Sequence, residues 1–326
     1  MKAMAQQSFQ QGAPLVLTEL PTPQPKPDEL IVDVKSIGVN PVDWKMRTSG
    51  PLRMAIRVVG PPLPFVPGVD FAGIVSAKGS QVTTIQVGDA VVGGTDFSRG
   101  QRGSYADTVV VRPDQVSVLP AGFDIVTAGA LPVVGVTAWM SLAELGKLQA
   151  ATSGAPGQKV LVLGASGGVG QFCVQLAKHT FGAFVVGVCS EKNVAFVQGL
   201  GADVVVDYTK GDALEQARPH GPFQVVVDAA GGYSGFACRS LLGPGGHHVI
   251  VAGETPSAFA QIFVPPFSSK SVLARSTTER LGHVVDAVAK GHVKMNIAER
   301  FPLAQAEDAH KLSQVGRMTG KIVLLP

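Results

Sequence analysis

The stretch at residues 159–172, KVLVLGASGGVGQF, constrains the fold of this chain more than any other. A run of branched aliphatic residues leads into Gly164, Gly167, Gly168 and Gly170, after which Val169, Cys173, Leu176 and Ala177 recur at helical spacing on one face. Strand, glycine turn and helix in that order let backbone amides approach a pyrophosphate, and the helix N-terminus favours its negative charge. The spacing departs from G-x-G-x-x-G at one place, since Ala165 stands where the first glycine would be. A glycine-rich turn alone is a common strand–helix connection, so the reading rests on its setting among successive βα units. On that reading Gly164, Ala165, Ser166, Gly167, Gly168, Val169 and Gly170 are candidate cofactor contacts. Cys173 falls on the buried stripe of the helix and reads as a small core residue.

The setting is supplied by KVLVLGA, AFVVGVCS, DVVVDY, QVVVDAAG and HHVIVAGE, short and nearly continuous apolar runs. Helix-like segments such as GVGQFCVQLAKHTFG and NVAFVQGLG separate them, which predicts a parallel, doubly wound sheet. The first third of the chain has another rhythm. It is rich in Pro and Gly, ELIVDVKSIGVN alternates at period two, and further strand-like runs follow through GSYADTVVVRPDQVSVLP. No helix-period segment is predicted before about Thr127. After ERLGHVVDAVAKG come a short strand, a helix (LAQAEDAHKLSQVG) and the closing strand GKIVLLP, which are predicted to return to the first domain. The expected fold class is α/β. A β-rich domain of residues 1–124 and 292–326 is joined to a doubly wound domain of residues 125–291. With 326 residues, 45% of them hydrophobic and 16% charged, two buried cores are within reach.

The formal charge of +3 is scattered, and no basic run interleaves with aromatics, which argues against nucleic acid. MKAMAQQSFQ lacks the apolar stretch of a secretory signal, and Pro132 and glycines interrupt the uncharged run between Asp124 and Glu144, so no membrane span is expected. Cys173, Cys189 and Cys238 form no CxxC pair and no even framework, which fits a reducing cytoplasm.

The end of the second strand bears on the choice of nicotinamide cofactor. FVVGVC runs into SEKN, so Ser190 takes the position of the acid that grips ribose hydroxyls in an NAD site. Lys192 is placed to face a 2′-phosphate, which favours NADPH. Glu191 argues the other way, unless it serves only as a first-turn residue beside the helix dipole.

GVNPVDWKMR, FVPGVDFAGIVSAKGSQVTTIQVGDAVVG, GSYAD, ALPVVGVTAW, GASGGVGQFCVQLAK, LGADVVVDY and TGKIVLLP follow one another in this order along nearly the whole length. Together they resemble the zinc-independent medium-chain dehydrogenase/reductases, specifically the quinone oxidoreductase (zeta-crystallin-like) group and its 2-alkenal and oxo-lipid reductases. The resemblance implies a GroES-like catalytic domain with a Rossmann domain inserted. It implies Asn40 and Thr137 at the nicotinamide end, the glycine turn on the pyrophosphate, and Ser190, Lys192 and Tyr208 at the adenosine phosphate end. Gly253 would line the nicotinamide pocket and Lys321 would reach the cofactor phosphates. Tyr208 packing after a strand, and Lys321 as a solvated strand-end charge, are the plainer alternatives. A homodimer through the Rossmann edge strand is a further family expectation.

The departures from the zinc enzymes of that superfamily matter as much. Asn40 stands at the position of their catalytic cysteine, Val69 and Asp70 replace a His–Glu pair, and the four-cysteine structural lobe is absent. The adjacent His247 and His248 point to opposite faces of a strand and make a poor chelate. Without a Lewis acid, the hydride acceptors left are those already activated by conjugation: enones, enals and quinones. Lys45, Asp70 and Tyr105 are the candidate catalytic residues, with a proton donor needed among them or from solvent. SGPLRMAIRVVGPPLPF reads either as a wall over the substrate or as an interface loop. Three functions remain open. They are an NADPH-dependent enone, 2-alkenal or quinone reductase; an enoyl reductase on carrier-bound thioesters, with Arg53, Arg57, Arg99 or Arg102 meeting a phosphate; and a non-enzymatic, crystallin-like NADPH-binding protein.

Overall fold

The computed structural model describes residues 1–48, 50–149, 157–251, 269–316 and 318–326. By contacts the chain divides into two units. The first comprises Met1–Val136, Arg275–Ala289 and Met295–Pro326; the second comprises Thr137–Ala274 and Lys290–Lys294.

In the first unit β1 (Lys2–Gln6) and β2 (Leu15–Glu19) form an antiparallel pair. β3 (Leu30–Val39), β4 (Asp70–Lys78), β5 (Ala90–Gly94) and β7 (Val116–Val118) are antiparallel neighbours in that order, and β6 (Thr108–Val111) pairs with β3. The period-two alternation of β3 puts Leu30, Val32 and Val34 into a core shared with Phe71, Val75, Val91 and Val109. Contrary to the sequence expectation, helices appear well before Thr127. α1 (Pro41–Thr48) and α2 (Gly50–Val59) connect β3 to β4. Pro and Gly density hid them, although each is locally encoded. Pro41 begins α1 with a preset φ, and the Asp43 carboxylate reaches back to accept the Asn40 N–H at 2.7 Å, as in a capping box. Ile56 of α2 packs with Met46, Phe65 and Leu52.

The contact boundary also falls later than the change of rhythm near residue 125. α3 (Ile125–Ala128), capped by Asp124, covers β3 and β4: Ser36 Oγ donates to the Val126 carbonyl, and Ala128 joins Ala72, Val92 and Val285 in one apolar cluster. α4 (Pro132–Trp139) follows.

Among its described residues the second unit holds six parallel strands: β8 (Lys159–Leu163), β9 (Phe184–Cys189), β10 (Val204–Asp207), β11 (Phe223–Asp228), β12 (Leu242–Ile250) and β13 (Lys270–Ser271). Their spatial order is β10-β9-β8-β11-β12-β13. Counted from β8 as the first strand this is 3-2-1-4-5-6, the doubly wound dinucleotide order, with its topological switch between β8 and β11. The continuous apolar runs are buried on both faces, with Leu161, Val186 and Val226 on one side and Val160, Val185 and Val225 on the other.

The C-terminal tail pairs with the first unit. β14 (Ile297–Pro302) pairs in parallel with β15 (Lys321–Leu325), and β15 runs antiparallel to β3 with Ile322 opposite Val39. One step further along that register, Lys321 stands opposite Asn40.

Candidate active site

The glycine turn lies at the carboxyl end of β8, beside the switch point. Gly164 has φ +79°, and a Cβ there would come 3.2 Å from the Ala230 nitrogen in the turn after β11. A Cβ at Gly170 would lie 2.1 Å from the Gly164 carbonyl oxygen, so that position admits no side chain. Gly167 caps α5 (Gly168–Gln175), whose first amides, including that of Val169, have no acceptor within the helix. Ala165, the departure from the fingerprint, is fully buried. Gly187 on β9 leaves room for its methyl, since a Cβ there would come 3.2 Å from it. Facing residues complete the turn: Asn193 Nδ2 donates to Ser166 Oγ at 3.0 Å and to Ser190 Oγ at 3.4 Å.

Beyond β9 the structure adds a cation the sequence reading missed. The short turn Tyr208–Lys210 after β10 brings Lys210 Nζ to 3.1 Å from the Glu191 carboxylate and 3.5 Å from Asp207. β10 lies beside β9, with Asp207 opposite Cys189, and strand order is what a linear reading cannot supply. Glu191, the one argument for an NAD site, is thus engaged by an ammonium. Lys192 is exposed on the same turn as Glu191, and Tyr208 is 48% exposed, so it does not pack after its strand.

In the first unit, four expected site residues meet in one buried network. Lys321 is not a solvated charge; it is 4% exposed, and its ammonium donates to the Val39 carbonyl at 2.6 Å and to Asn40 Oδ1 at 2.7 Å. Asn40 Nδ2 donates to Asp70 Oδ2 at 2.9 Å, and Asp70 Oδ1 accepts the Val133 N–H. Asp43 accepts from the Asn40 and Val69 amides and, at 3.2 Å, from the Tyr105 hydroxyl. Gly38 leaves room for this, since a Cβ there would come 2.8 Å from Asp70 Oδ2.

The network continues to residues that sequence reasoning missed. Arg47 donates to both Glu307 oxygens, to the Ala13 carbonyl and, at 2.9 Å, to His310 Nδ1. A guanidinium can only donate, so Nδ1 accepts and the imidazole proton sits on Nε2, 2.9 Å from the Tyr105 oxygen. Each donor therefore points the same way: Arg47 to His310, His310 to Tyr105, Tyr105 to Asp43. Burial, then the Arg47 charge, hold His310 down to about 3, which keeps it neutral. Burial pushes Asp70 up to about 6, against the opposing Lys321 charge. Burial likewise raises Asp43, helped by the Asp70 charge, and lowers Lys321. One buried ammonium cannot balance two buried carboxylates, so the cluster favours retaining a proton.

These positions refine the expected roles. Asp70 and Tyr105 are each fully enclosed, and every polar atom of the Tyr105 side chain is taken up by Asp43 and His310. Neither offers a surface to a reacting molecule. Lys45 is half-exposed on α1, its ammonium 5.4 Å over the Trp44 ring. Thr137 is buried on α4, where its carbonyl accepts from Ser141. Gly253 lies outside the described residues. Of the arginines considered for a carrier phosphate, Arg99 is already held by a two-point bond to Asp114 and by Asp96. His248 is buried against Ser269, and among the described residues no three His, Cys, Asp or Glu side chains gather where they could hold a metal ion.

Comparison with known proteins agrees with the fold. Residues 26–121 match the family model described as alcohol dehydrogenase GroES-like domain, and residues 200–324 match that of zinc-binding dehydrogenase. The chain is 33% identical to the chloroplast envelope quinone oxidoreductase homolog of Arabidopsis thaliana, over all of this chain and 98% of that protein. It is 32% identical to the 2-methylene-furan-3-one reductase of Solanum lycopersicum, over 93% of this chain and 73% of the relative. It is also 30% identical to the NADPH-dependent alkenal/one oxidoreductase of Arabidopsis thaliana, over 93% of this chain and 74% of the relative. Among solved structures, the quinone oxidoreductase of Coxiella burnetii superposes with a TM-score of 0.87 at 29% identity, covering 100% of this chain and 99% of that one.

Proposed function

The chain belongs to the quinone oxidoreductase group of the medium-chain dehydrogenase/reductases, and from that premise we propose that it reduces the activated C=C of enones and 2-alkenals, or quinones, with NADPH and without zinc. The observation that carries the reading is the 3-2-1-4-5-6 sheet with its glycine turn at the switch point. Relatives named for quinones and for alkenals narrow the acceptor. The bound cofactor supplies the hydride. Gly164, Ala165, Ser166, Gly167, Gly168, Val169 and Gly170 would cradle its pyrophosphate, and Ser190, Lys192, Lys210 and Tyr208 the adenosine phosphate end. Asn40, Thr137 and Lys321 are the proposed contacts toward its other end, with Asn40 fixed in orientation by Lys321 and Asp70.

The residues at the old zinc position do not fit zinc. Asn40 offers a carboxamide already bonded to Asp70, Val69 offers no donor atom, and the Lys321 ammonium occupies the same cluster. Elemental analysis of the purified protein should find no stoichiometric zinc, and a strong chelator should leave turnover intact. One tightly held zinc per chain whose removal abolishes activity would refute this.

Hydride is proposed to pass to the β-carbon, because conjugation moves the resulting charge onto an oxygen that nearby donors stabilise. The α-carbon then takes a proton. NADPH oxidation measured against 2-alkenals, quinones and enoyl thioesters, with product identification, tests the reading. Saturated aldehydes or ketones are expected. Mainly allylic alcohol would overturn it, and tight NADPH binding with no turnover on any acceptor would favour a non-enzymatic role.

Lys192→Ala should weaken NADPH by roughly 1.5–3 kcal/mol, the range for hydrogen bonds to charged groups, and leave NADH nearly unchanged. Equal losses for both cofactors, measured by titration, would remove Lys192 from the phosphate site. The buried free thiols of Cys173, Cys189 and Cys238 suit the reducing cytoplasm proposed for this chain. The proposed assembly is a homodimer through an edge strand of the six-stranded sheet, and a monomeric mass in light scattering would rule that out.

A further inference from the structure

The helix α2 is apolar on the side that should face water. Its inner face is firmly seated, with Ile56 at 5% exposure and Leu52 packed on Met46 and Phe65. On its outer face Met54 is 57% exposed, Val58 72% and Val59 62%, with Ala55 between them, and Leu63 follows just beyond at 40%. At 100° per residue Met54 and Val58 point directly away from the Leu52–Ile56 seat, Arg57 and then Arg53 follow on one side of them and Ala55 on the other, and Val59 is exposed at the helix end. An ordinary surface helix puts its charged residues on the outward arc. Here Arg57 alone shares the outward side with Met54 and Val58, and Arg53 lies on its flank.

Charge selects what covers this face. Between Asp43 and Asp70 the sequence has no carboxylate, yet it carries Lys45, Arg47, Arg53 and Arg57. Arg47 is consumed by Glu307 inside the fold, but Arg57 is exposed and Arg53 half-exposed beside the apolar arc. We propose that α2 and the Pro61–Pro64 turn form a docking face for an anionic lipid surface, with Met54, Val58, Val59 and Leu63 entering the acyl boundary and the arginines on the headgroups. A second copy of the chain fits less well. A stable protein interface needs about 800 Å² per partner and a complementary shape, which a ten-residue helix does not provide alone. A bilayer surface demands neither. A short helix and two cations give weak, reversible and salt-sensitive attachment, so the protein would sample the surface and leave it. Through the reading of function above, this would bring it to conjugated carbonyls and quinones dissolved in membranes. The docking itself does not depend on that reading.

The test is co-sedimentation of the full chain, without cofactor, with vesicles of phosphatidylcholine alone or with a third phosphatidylserine. At low salt the bound fraction should be at least fivefold higher on the anionic vesicles and should fall at physiological salt. Val58→Asp and, separately, Arg57→Glu should each lower it at least fivefold while melting temperature and NADPH affinity stay at the parent values. Both positions are exposed, so these variants should fold; a third, Met54→Ser, repeats the test if one does not. Absence of binding to anionic vesicles, or binding indifferent to these substitutions, overturns the proposal. So does a concentration-dependent dimer that Val58→Asp disperses, which would assign the face to a second copy.

Discussion

Lys45→Met is expected to lower turnover on 2-alkenals roughly a hundredfold or more, the scale of a general acid, with NADPH affinity preserved. Reduction at the β-carbon leaves an enolate that must be protonated at the α-carbon. Of the three side chains in the first unit suited to that chemistry, Asp70 and Tyr105 are fully enclosed, whereas Lys45 is half-exposed on α1. The choice therefore narrows to Lys45 or solvent. Quinones separate the two, because the oxygens of a reduced quinone take protons directly from water. The loss with a quinone should be much smaller than with an alkenal. Equal losses on both acceptors would mean that Lys45 binds rather than protonates, and a fully active variant would hand the step to solvent.

Where the sequence was legible, short-range physics decided the outcome. Strands buried on both faces must be apolar throughout, and a turn that admits no Cβ must be glycine, so β8, the Gly164–Gly170 turn and α5 could be read from about twenty residues. The return of GKIVLLP to the first unit was visible as a break in the βα rhythm. Other features depended on register and strand order. Lys321 meets Asn40 because β15 runs antiparallel to β3 with Ile322 opposite Val39, so a charge that looked solvated is buried. Lys210 meets Glu191 because β10 lies beside β9. Asp43 had a local signal, as the third helical residue after Asn40 and Pro41, but strand-like surroundings masked it. His310 and Arg47 are 263 positions apart, and no spacing rule joins them.

That pair is expected to be the most fragile point of the first unit. Arg47→Met should destabilise it by roughly 1.5–3 kcal/mol, the range for losing hydrogen bonds to a charged group, because Glu307 at 34% exposure keeps access to water. Arg47 is 5% exposed and holds Glu307, the Ala13 carbonyl and His310 at once, and methionine replaces none of those donors. The loss should also depend on pH with a definite sign. In the parent protein His310 is held down to about 3, first by burial and then by Arg47. A histidine depressed in the folded state contributes stability above its unfolded value near 6.5, and that contribution is lost as pH falls toward 3. Removing the guanidinium lets His310 rise toward its ordinary value, so the variant surrenders less as pH falls. The gap between parent and variant should thus be widest above pH 6.5 and should shrink toward pH 5. Asp70, raised to about 6, acts in the opposite sense: its contribution is present at low pH and is lost as pH rises through 6 in both proteins, so it cancels from the difference. Urea unfolding at pH 7.5 and pH 5 measures both quantities. A gap that stays constant would show that Arg47 acts through Glu307 and Ala13 alone. A loss below 1 kcal/mol would show that water entering beside the partly exposed Glu307 takes over its hydrogen bonds.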